Sequence, residues 1–229
     1  TPYDLFLGLE KVNKEAKVDW GLVLAKSVAI VPEDYPATIP ASLMLGVKIA
    51  DGLIAIKAQS TEDLNFASES IEVLARTIGV SDDELVRAEK VRKMGVEGDW
   101  LGVFLELAFL QTDILQKLAG DESSAERSVI LVGGWIQGAR LSSYAIEANY
   151  SEEASGLLRQ PELIADLIAD LEGSGSEVSG NASIVEIIGR LRELRKICDI
   201  PMHGTMPLEK VVEMRKTCDE LLEVIKNAK

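Results

Sequence analysis

Aromatic residues are scarce in this chain, since only 5% of its 229 residues are Phe, Trp or Tyr. A β-sandwich or a β-barrel would be rich in aromatic, valine and threonine residues, so the scarcity disfavours both folds. Proline and glycine are also few, with 7 and 18 residues, which leaves long stretches free to form helices. The composition therefore predicts an all-α protein.

Histidine occurs once, at His203, and this scarcity excludes several kinds of site. Histidine-rich zinc or copper sites, the paired Glu-x-x-His sites of ferritin-like bundles and HExxH hydrolases all need more than one. The chain also has no Gly-x-x-x-x-Gly-Lys-Ser/Thr loop, no Gly-x-Ser-x-Gly elbow and no Cys-x-x-Cys-His haem motif. We therefore expect no cofactor, and no motif indicates an enzyme.

Basic residues are outnumbered, with 24 Lys and Arg against 38 Asp and Glu and a net charge of −14. Such a chain repels phosphate backbones, so a nucleic acid is not expected as a partner. Charged residues such as Lys48, Asp51 and Glu106 keep the apolar runs short of the ~20 residues that a membrane span needs.

The chain starts at Thr1 without a methionine, as it would after removal of a signal peptide or a lipid-anchored N-terminus. We therefore expect a bacterial protein that is exported, with a periplasmic or other extracytoplasmic location. A cytoplasmic location is the alternative.

Cysteine occurs only at Cys198 and Cys218, both on apolar helical faces. In a hairpin of these two helices, the residues are offset by roughly 10 Å at ~1.5 Å per residue. A disulfide needs Cα atoms within ~7 Å. We predict two free, buried thiols.

Apolar residues recur with the period of an α-helix along most of the chain, which favours a helical-bundle fold. Capping residues such as Ser60 and Ser151 mark several helix starts. The pattern predicts about ten helices, near 2–15, 18–31, 41–58, 61–79, 81–95, 97–118, 123–148, 161–172, 182–199 and 207–227.

The charge changes along the chain, because residues 1–172 carry the whole net charge and residues 173–229 are neutral. Residues 173–181 are rich in glycine and serine, which is typical of a flexible linker. The sequence thus predicts a helical core over 1–172 and a C-terminal helical hairpin over 182–229, packed on or beside that core.

Parts of the core repeat weakly along the sequence. Asp19-Trp20 recurs as Asp99-Trp100, and a shift of 87 residues aligns 42–46 with 129–133. We therefore expect an internal duplication, with two related units at about 1–95 and 96–172 and pseudo-twofold symmetry.

Glycines interrupt the long apolar helices, although each costs about 1 kcal/mol relative to alanine. One explanation is close contact between helices. The other is the floor of a groove, in which Trp135, Gln137 and Arg140 would bind a ligand. The glycines are Gly46, Gly52, Gly133, Gly134 and Gly138.

Asp51 lies within the apolar helix at 41–58, and a buried carboxylate there needs a partner. Arg140 is at a nearly matching place in the second unit, so an ion pair between the units is expected. A role for Asp51 in binding a ligand is the alternative.

Soft-metal ligands are concentrated near the hairpin turn, where Met202, His203 and Met206 lie close to Cys198. Thioether, imidazole and thiol groups suit copper(I). The simpler interpretation is a loop whose methionines pack over the end of the hairpin, and few loop methionines bind anything.

Three functions are compatible with these patterns. The favoured one is a non-enzymatic binding or scaffolding protein, with a groove between the two units for an unknown protein or small-molecule ligand. The second is a small-molecule or soft-metal sensor or carrier. The third is a hydrolase that uses carboxylates alone, which would need two of them in one cleft.

Overall fold

The protein is described by a computed structural model for residues 10, 13, 18–82, 85–117, 124–201 and 204–228. These residues form an all-α fold, as the composition predicts, and no strand occurs among them. The α-helices are α1 (Trp20–Leu24), α2 (Thr38–Ala58), α3 (Thr61–Thr77), α4 (Val86–Glu97), α5 (Trp100–Lys117), α6 (Ser124–Ala148), α7 (Glu152–Ser155), α8 (Pro161–Gly173), α9 (Gly175–Ser179), α10 (Ala182–Cys198) and α11 (Leu208–Lys226).

Helix α2 is the central element of the fold. Among the described residues, α2 alone is long and apolar enough to cross a membrane, but 94% of its most apolar window is buried inside the protein. Its neighbours are α6, which makes its most extensive contact, and α1, α3 and α5. An apolar helix covered on most sides is what a protein core requires.

Helices α2 and α6 approach so closely that their backbones touch. A Cβ atom on Gly46 would overlap the carbonyl oxygen of Ile130, and a Cβ on Gly133 would overlap the carbonyl oxygen of Leu43. Glycine at these two positions therefore allows the contact, which confirms the close-packing explanation for both residues.

The two overlaps are reciprocal under the shift of 87 residues suggested by the sequence. The shift aligns Gly46 with Gly133 and Leu43 with Ile130. The contact of Gly46 with Ile130 is therefore equivalent to the contact of Gly133 with Leu43. Two units related by a pseudo-twofold axis would make contacts of this kind. The duplication itself, with units at about 1–95 and 96–172, stays a prediction.

The remaining helices pack around this pair. Helix α3 covers α2, α4 packs against α3 and α5, and α11 packs against α6 and α10. Helix α8 fills the angle between α6 and α10. The buried apolar side chains of all these helices form one continuous cluster.

Two local predictions are wrong. The helix expected over 18–31 ends at Leu24, because the backbone of Val28 bonds instead to the side chains of Lys48 and Asp51. The glycine- and serine-rich segment expected to be a flexible linker forms α9, and Val178 within it is buried. An apolar side chain that can be buried outweighs the local preference of glycine and serine for a loop.

Candidate functional site

Asp51 is buried at the centre of a hydrogen-bonded network. Its Oδ2 accepts hydrogen bonds from Nζ of Lys48 at 2.9 Å and from the backbone N–H of Val28 at 3.1 Å. Its Oδ1 accepts one from Nε2 of Gln137 at 2.6 Å. Both oxygens are thus engaged by groups of the protein, and the side chain is 3% exposed.

The ion pair predicted between Asp51 and Arg140 is not formed. Asp51 pairs with Lys48, one helical turn away on α2. Arg140 instead reaches α11, where its Nε donates to Asp219 at 2.6 Å, and its Nη1 donates to the carbonyl oxygen of Lys26 at 2.6 Å. The prediction was wrong because it did not place α11 beside α6, where Asp219 is the closer carboxylate.

Gln137 and Arg140 nevertheless belong to the same network as Asp51. Arg140 donates a long hydrogen bond of 3.4 Å to Oε1 of Gln137, whose amide nitrogen donates to Asp51. The network joins α2, α6 and α11 through buried polar groups, and such fully satisfied networks fix a unique packing.

The predicted groove above the glycines is closed. Trp135 is only 2% exposed and donates from Nε1 to Oε1 of Gln160 at 3.0 Å, away from the network of Asp51. Helix α2 occupies the space over Gly133. Sequence reasoning therefore selected residues that stabilise the fold.

A cavity of about 240 Å³ borders the other side of Lys48 and Asp51. Asp63 and Phe66 also line it, and the ammonium of Lys48 is 4.7 Å from the centre of the Phe66 ring. The hydroxyl of Ser27 has no hydrogen-bond partner among the described residues. The two carboxylates share this cavity, but both oxygens of Asp51 already accept hydrogen bonds.

Of the soft-metal candidates, Met206 and Cys198 are among the described residues, whereas Met202 and His203 lie outside them. Met206 is fully buried, and its backbone N–H donates to the hydroxyl of Ser155 at 3.0 Å. Cys198 is buried and free, and its thiol donates to the carbonyl oxygen of Leu158. Met206 thus anchors the loop, as the packing interpretation expects.

An open cleft of about 420 Å³ lies elsewhere, between α2 and the first turns of α1 and α5. Trp20 and Phe104 are buried in its walls, whereas Leu101 at its edge is 70% exposed. The lining residues are Glu10, Asn13, Trp20, Ile56, Lys57, Gln59, Trp100, Leu101 and Phe104.

Trp20 and Trp100 take the same local position in their helices. Each is the first residue after an aspartate cap, since Oδ1 of Asp19 accepts from Leu22 N–H at 3.2 Å and Oδ1 of Asp99 accepts from Gly102 N–H at 3.0 Å. The indole N–H of Trp20 has no acceptor among the described residues, although the ring is buried.

Lys57 brings a cation to this aromatic cleft. Its side chain is 8% exposed, its ammonium is 6.0 Å from the centre of the Trp20 ring, and it pairs with the half-exposed carboxylate of Glu10. Burial lowers the pKa of Lys57 to about 8, because a desolvated ammonium is disfavoured.

Gln59 adds a strained residue to the same cleft. It ends α2 in the left-handed conformation with φ of 53°, which glycine usually takes at the end of a helix. Strained backbone of this kind concentrates at binding and catalytic sites. The cleft therefore combines aromatic walls, a desolvated cation and local strain.

Sequence reasoning missed this cleft, although one signal was present. The repeated Asp-Trp pair was interpreted as evidence of duplication, but not as two walls of one cleft.

Comparison of the chain with known protein families, with curated proteins and with solved structures finds no match.

Proposed function

We propose that this protein is a non-enzymatic binding protein whose ligand site is the cleft between Trp20 and Trp100. The cleft takes the place of the groove that the sequence predicts between the two units, 1–95 and 96–172. The observation that carries the proposal is the position of Lys57, a desolvated cation with a lowered pKa at the base of aromatic walls.

The chemistry of the cleft favours a small molecule with a flat apolar body and an anionic group. Trp100 and Phe104 offer apolar ring surface, and binding sites of this size are usually apolar with a few polar groups that fix orientation. Lys57 supplies the positive charge. Its ion pair with the half-exposed Glu10 mimics the contact that a ligand carboxylate would make.

The two alternative functions have less support. Both oxygens of Asp51 are occupied where it shares a cavity with Asp63, so carboxylate catalysis has no free pair there. A soft-metal site would need Met202 and His203, and Met206 is already committed to packing. An exported location remains a proposal that rests on the sequence alone.

The test uses two aromatic compounds that differ in charge, 2-naphthoate and 2-naphthylmethanol, in calorimetric titrations at pH 7. We expect Lys57→Met to weaken 2-naphthoate binding about 10–100-fold. This is the loss of affinity that corresponds to the free energy of one hydrogen bond to a charged group. Binding of 2-naphthylmethanol should change little. Glu10→Gln should strengthen binding of 2-naphthoate, because the competing carboxylate is gone.

The pH gives a second readout of the same site. Since the pKa of Lys57 is lowered to about 8, 2-naphthoate should bind more weakly at pH 9 than at pH 7. Lys196→Met, which removes an exposed cation from α10, is the matched control and should leave both affinities unchanged. Failure of both compounds to bind, or equal losses for both in Lys57→Met, would contradict the proposal.

A further inference from the structure

Helix α5 presents an unusual face to solvent. Leu101, Leu105 and Phe109 are 70%, 45% and 51% exposed and follow one another at four-residue intervals. Residues at this spacing form a continuous ridge along a helix. Large apolar side chains exposed together indicate an interaction surface, whereas single ones do not.

The charged groups beside this ridge are paired with one another. Between Leu101 and Gln116 the charged residues are Glu106 and Asp113, and both point toward α4. Arg87 donates to Glu106 at 2.9 Å and to Asp113 at 2.6 Å, and Lys90 also binds Glu106. Hydrogen bonds from Lys90 and Arg87 lower the pKa of Glu106, so its charge is held inside the hairpin of α4 and α5.

The hairpin is electrically neutral in a strongly acidic protein. Residues 86–117 contain five basic and five acidic side chains, whereas the whole chain carries −14. Two copies of the chain repel each other over most of their surfaces, and least where each surface is neutral. A lipid surface or an acidic partner would instead favour unpaired Lys or Arg on the exposed face. The guanidinium of Arg87 lies 5.3 Å from the centre of the Phe109 ring, but it is already paired with Glu106 and Asp113.

We propose that the ridge of Leu101, Leu105 and Phe109 is the interface of a homodimer, in which α5 packs against α5 of a second copy. A twofold contact places the same ridge on both sides, and ridges of four-residue spacing interlock at about −50°. Val96, near the end of α4, is also 72% exposed, and each side of a stable interface buries ~800 Å².

The test is sedimentation velocity of the full chain between 1 and 100 µM. The unmodified protein should sediment as a dimer, with twice the 24.9 kDa mass of one chain. Leu105→Glu should weaken dimerisation at least about 100-fold, since the twofold axis brings two like charges into the interface. Val185→Glu changes an apolar residue on α10 that is 54% exposed, slightly more than Leu105, and should leave the dimer intact.

A charge swap makes the test specific for a second copy. Leu105→Glu and Leu105→Lys should each be monomeric alone and should form a mixed dimer when combined. Circular dichroism should show unchanged helix content in both, because Leu105 is exposed.

Three results would overturn the proposal. The first is an unmodified chain that is monomeric at 100 µM. This result would overturn the proposal even if the chain bound to lipid vesicles in a flotation assay. The second is equal disruption by Val185→Glu, and the third is failure of the two Leu105 variants to associate. The ridge and the edge of the cleft share Leu101, but Leu105 does not line the cleft, so the Leu105 variants test the interface separately from the proposed function.

Discussion

The contact between α2 and α6 and the surface formed by α1 and α5 use their residues in opposite ways. Along the contact, the polar groups of Asp51, Gln137 and Arg140 all bond to other groups of the protein. In the region of α1 and α5, the buried indole N–H of Trp20 has no acceptor among the described residues, and the ridge of α5 faces solvent.

The comparison shows what burial requires of a polar side chain in such a fold. A buried polar residue within an apolar helix must form hydrogen bonds inside the protein, so its polar groups are no longer available to a ligand. Apolar and aromatic side chains that remain at the surface have no such internal use. For this reason we propose the apolar and aromatic groups of this surface, and not the buried polar ones, as the binding residues.

The largest effect should come from Asp51→Asn, which leaves the ammonium of Lys48 buried without its counter-ion. We expect the free energy of unfolding in urea to fall by about 3–5 kcal/mol. Asp82→Asn is the control, because Asp82 pairs with Arg76 but is 81% exposed, and it should cost less than about 1 kcal/mol. Equal losses in the two variants would show that the buried network of Asp51 stabilises the fold no more than an exposed ion pair does.

An intermediate effect is expected from Gly133→Ala, whose Cβ would overlap the carbonyl oxygen of Leu43. Separating the two backbones should cost about 1–3 kcal/mol in the same assay. Gly189→Ala in α10 meets no neighbouring atom and should instead stabilise the protein by about 0.5–1 kcal/mol. If both substitutions stabilise, the backbones of α2 and α6 do not touch as described.

The smallest effect should come from Lys57→Met, and it depends on pH. The folded-state pKa of Lys57 is lowered to about 8 from the usual 10.5, so the unfolded chain binds more protons between these values. Stability of the unmodified protein should therefore rise from pH 8 to 10.5.

Lys57→Met should be the more stable variant at pH 7, by about 1 kcal/mol, because a neutral side chain avoids the cost of burying the ammonium. Its advantage should shrink as the pH rises toward 10.5. Thermal unfolding of both proteins at pH 7, 8 and 9.5 measures the difference, and a constant difference would exclude a lowered pKa.

The sequence predicts the helices well because period and caps are local properties. Ser60 and Ser151 cap α3 and α7, since their hydroxyl oxygens accept hydrogen bonds from the N–H groups of Asp63 and Ala154, as expected. The two cysteines are free and buried, as the spacing predicts. The end of α1 at Leu24 could not be predicted, because it depends on a contact between Val28 and side chains 20 or more residues away.

The candidate site was less predictable, because it depends on which helices become neighbours. The sequence marks Trp135 and Arg140 as unusual, but it cannot show that Gln160 and Asp219 satisfy them. Similarly, Lys57 looks like an ordinary charge at the end of a helix until Trp20 and Glu10 are placed beside it.

The burial of both thiols has a practical consequence for studying this protein. Burial raises the pKa of Cys198 to about 11 and that of Cys218 still further, and the thiolate is the form that reacts. At neutral pH, a cysteine introduced at the exposed Ser176 should therefore react with a maleimide dye long before either native thiol. Site-specific fluorescent labelling needs no cysteine-free background, which leaves the core of α10 and α11 unaltered.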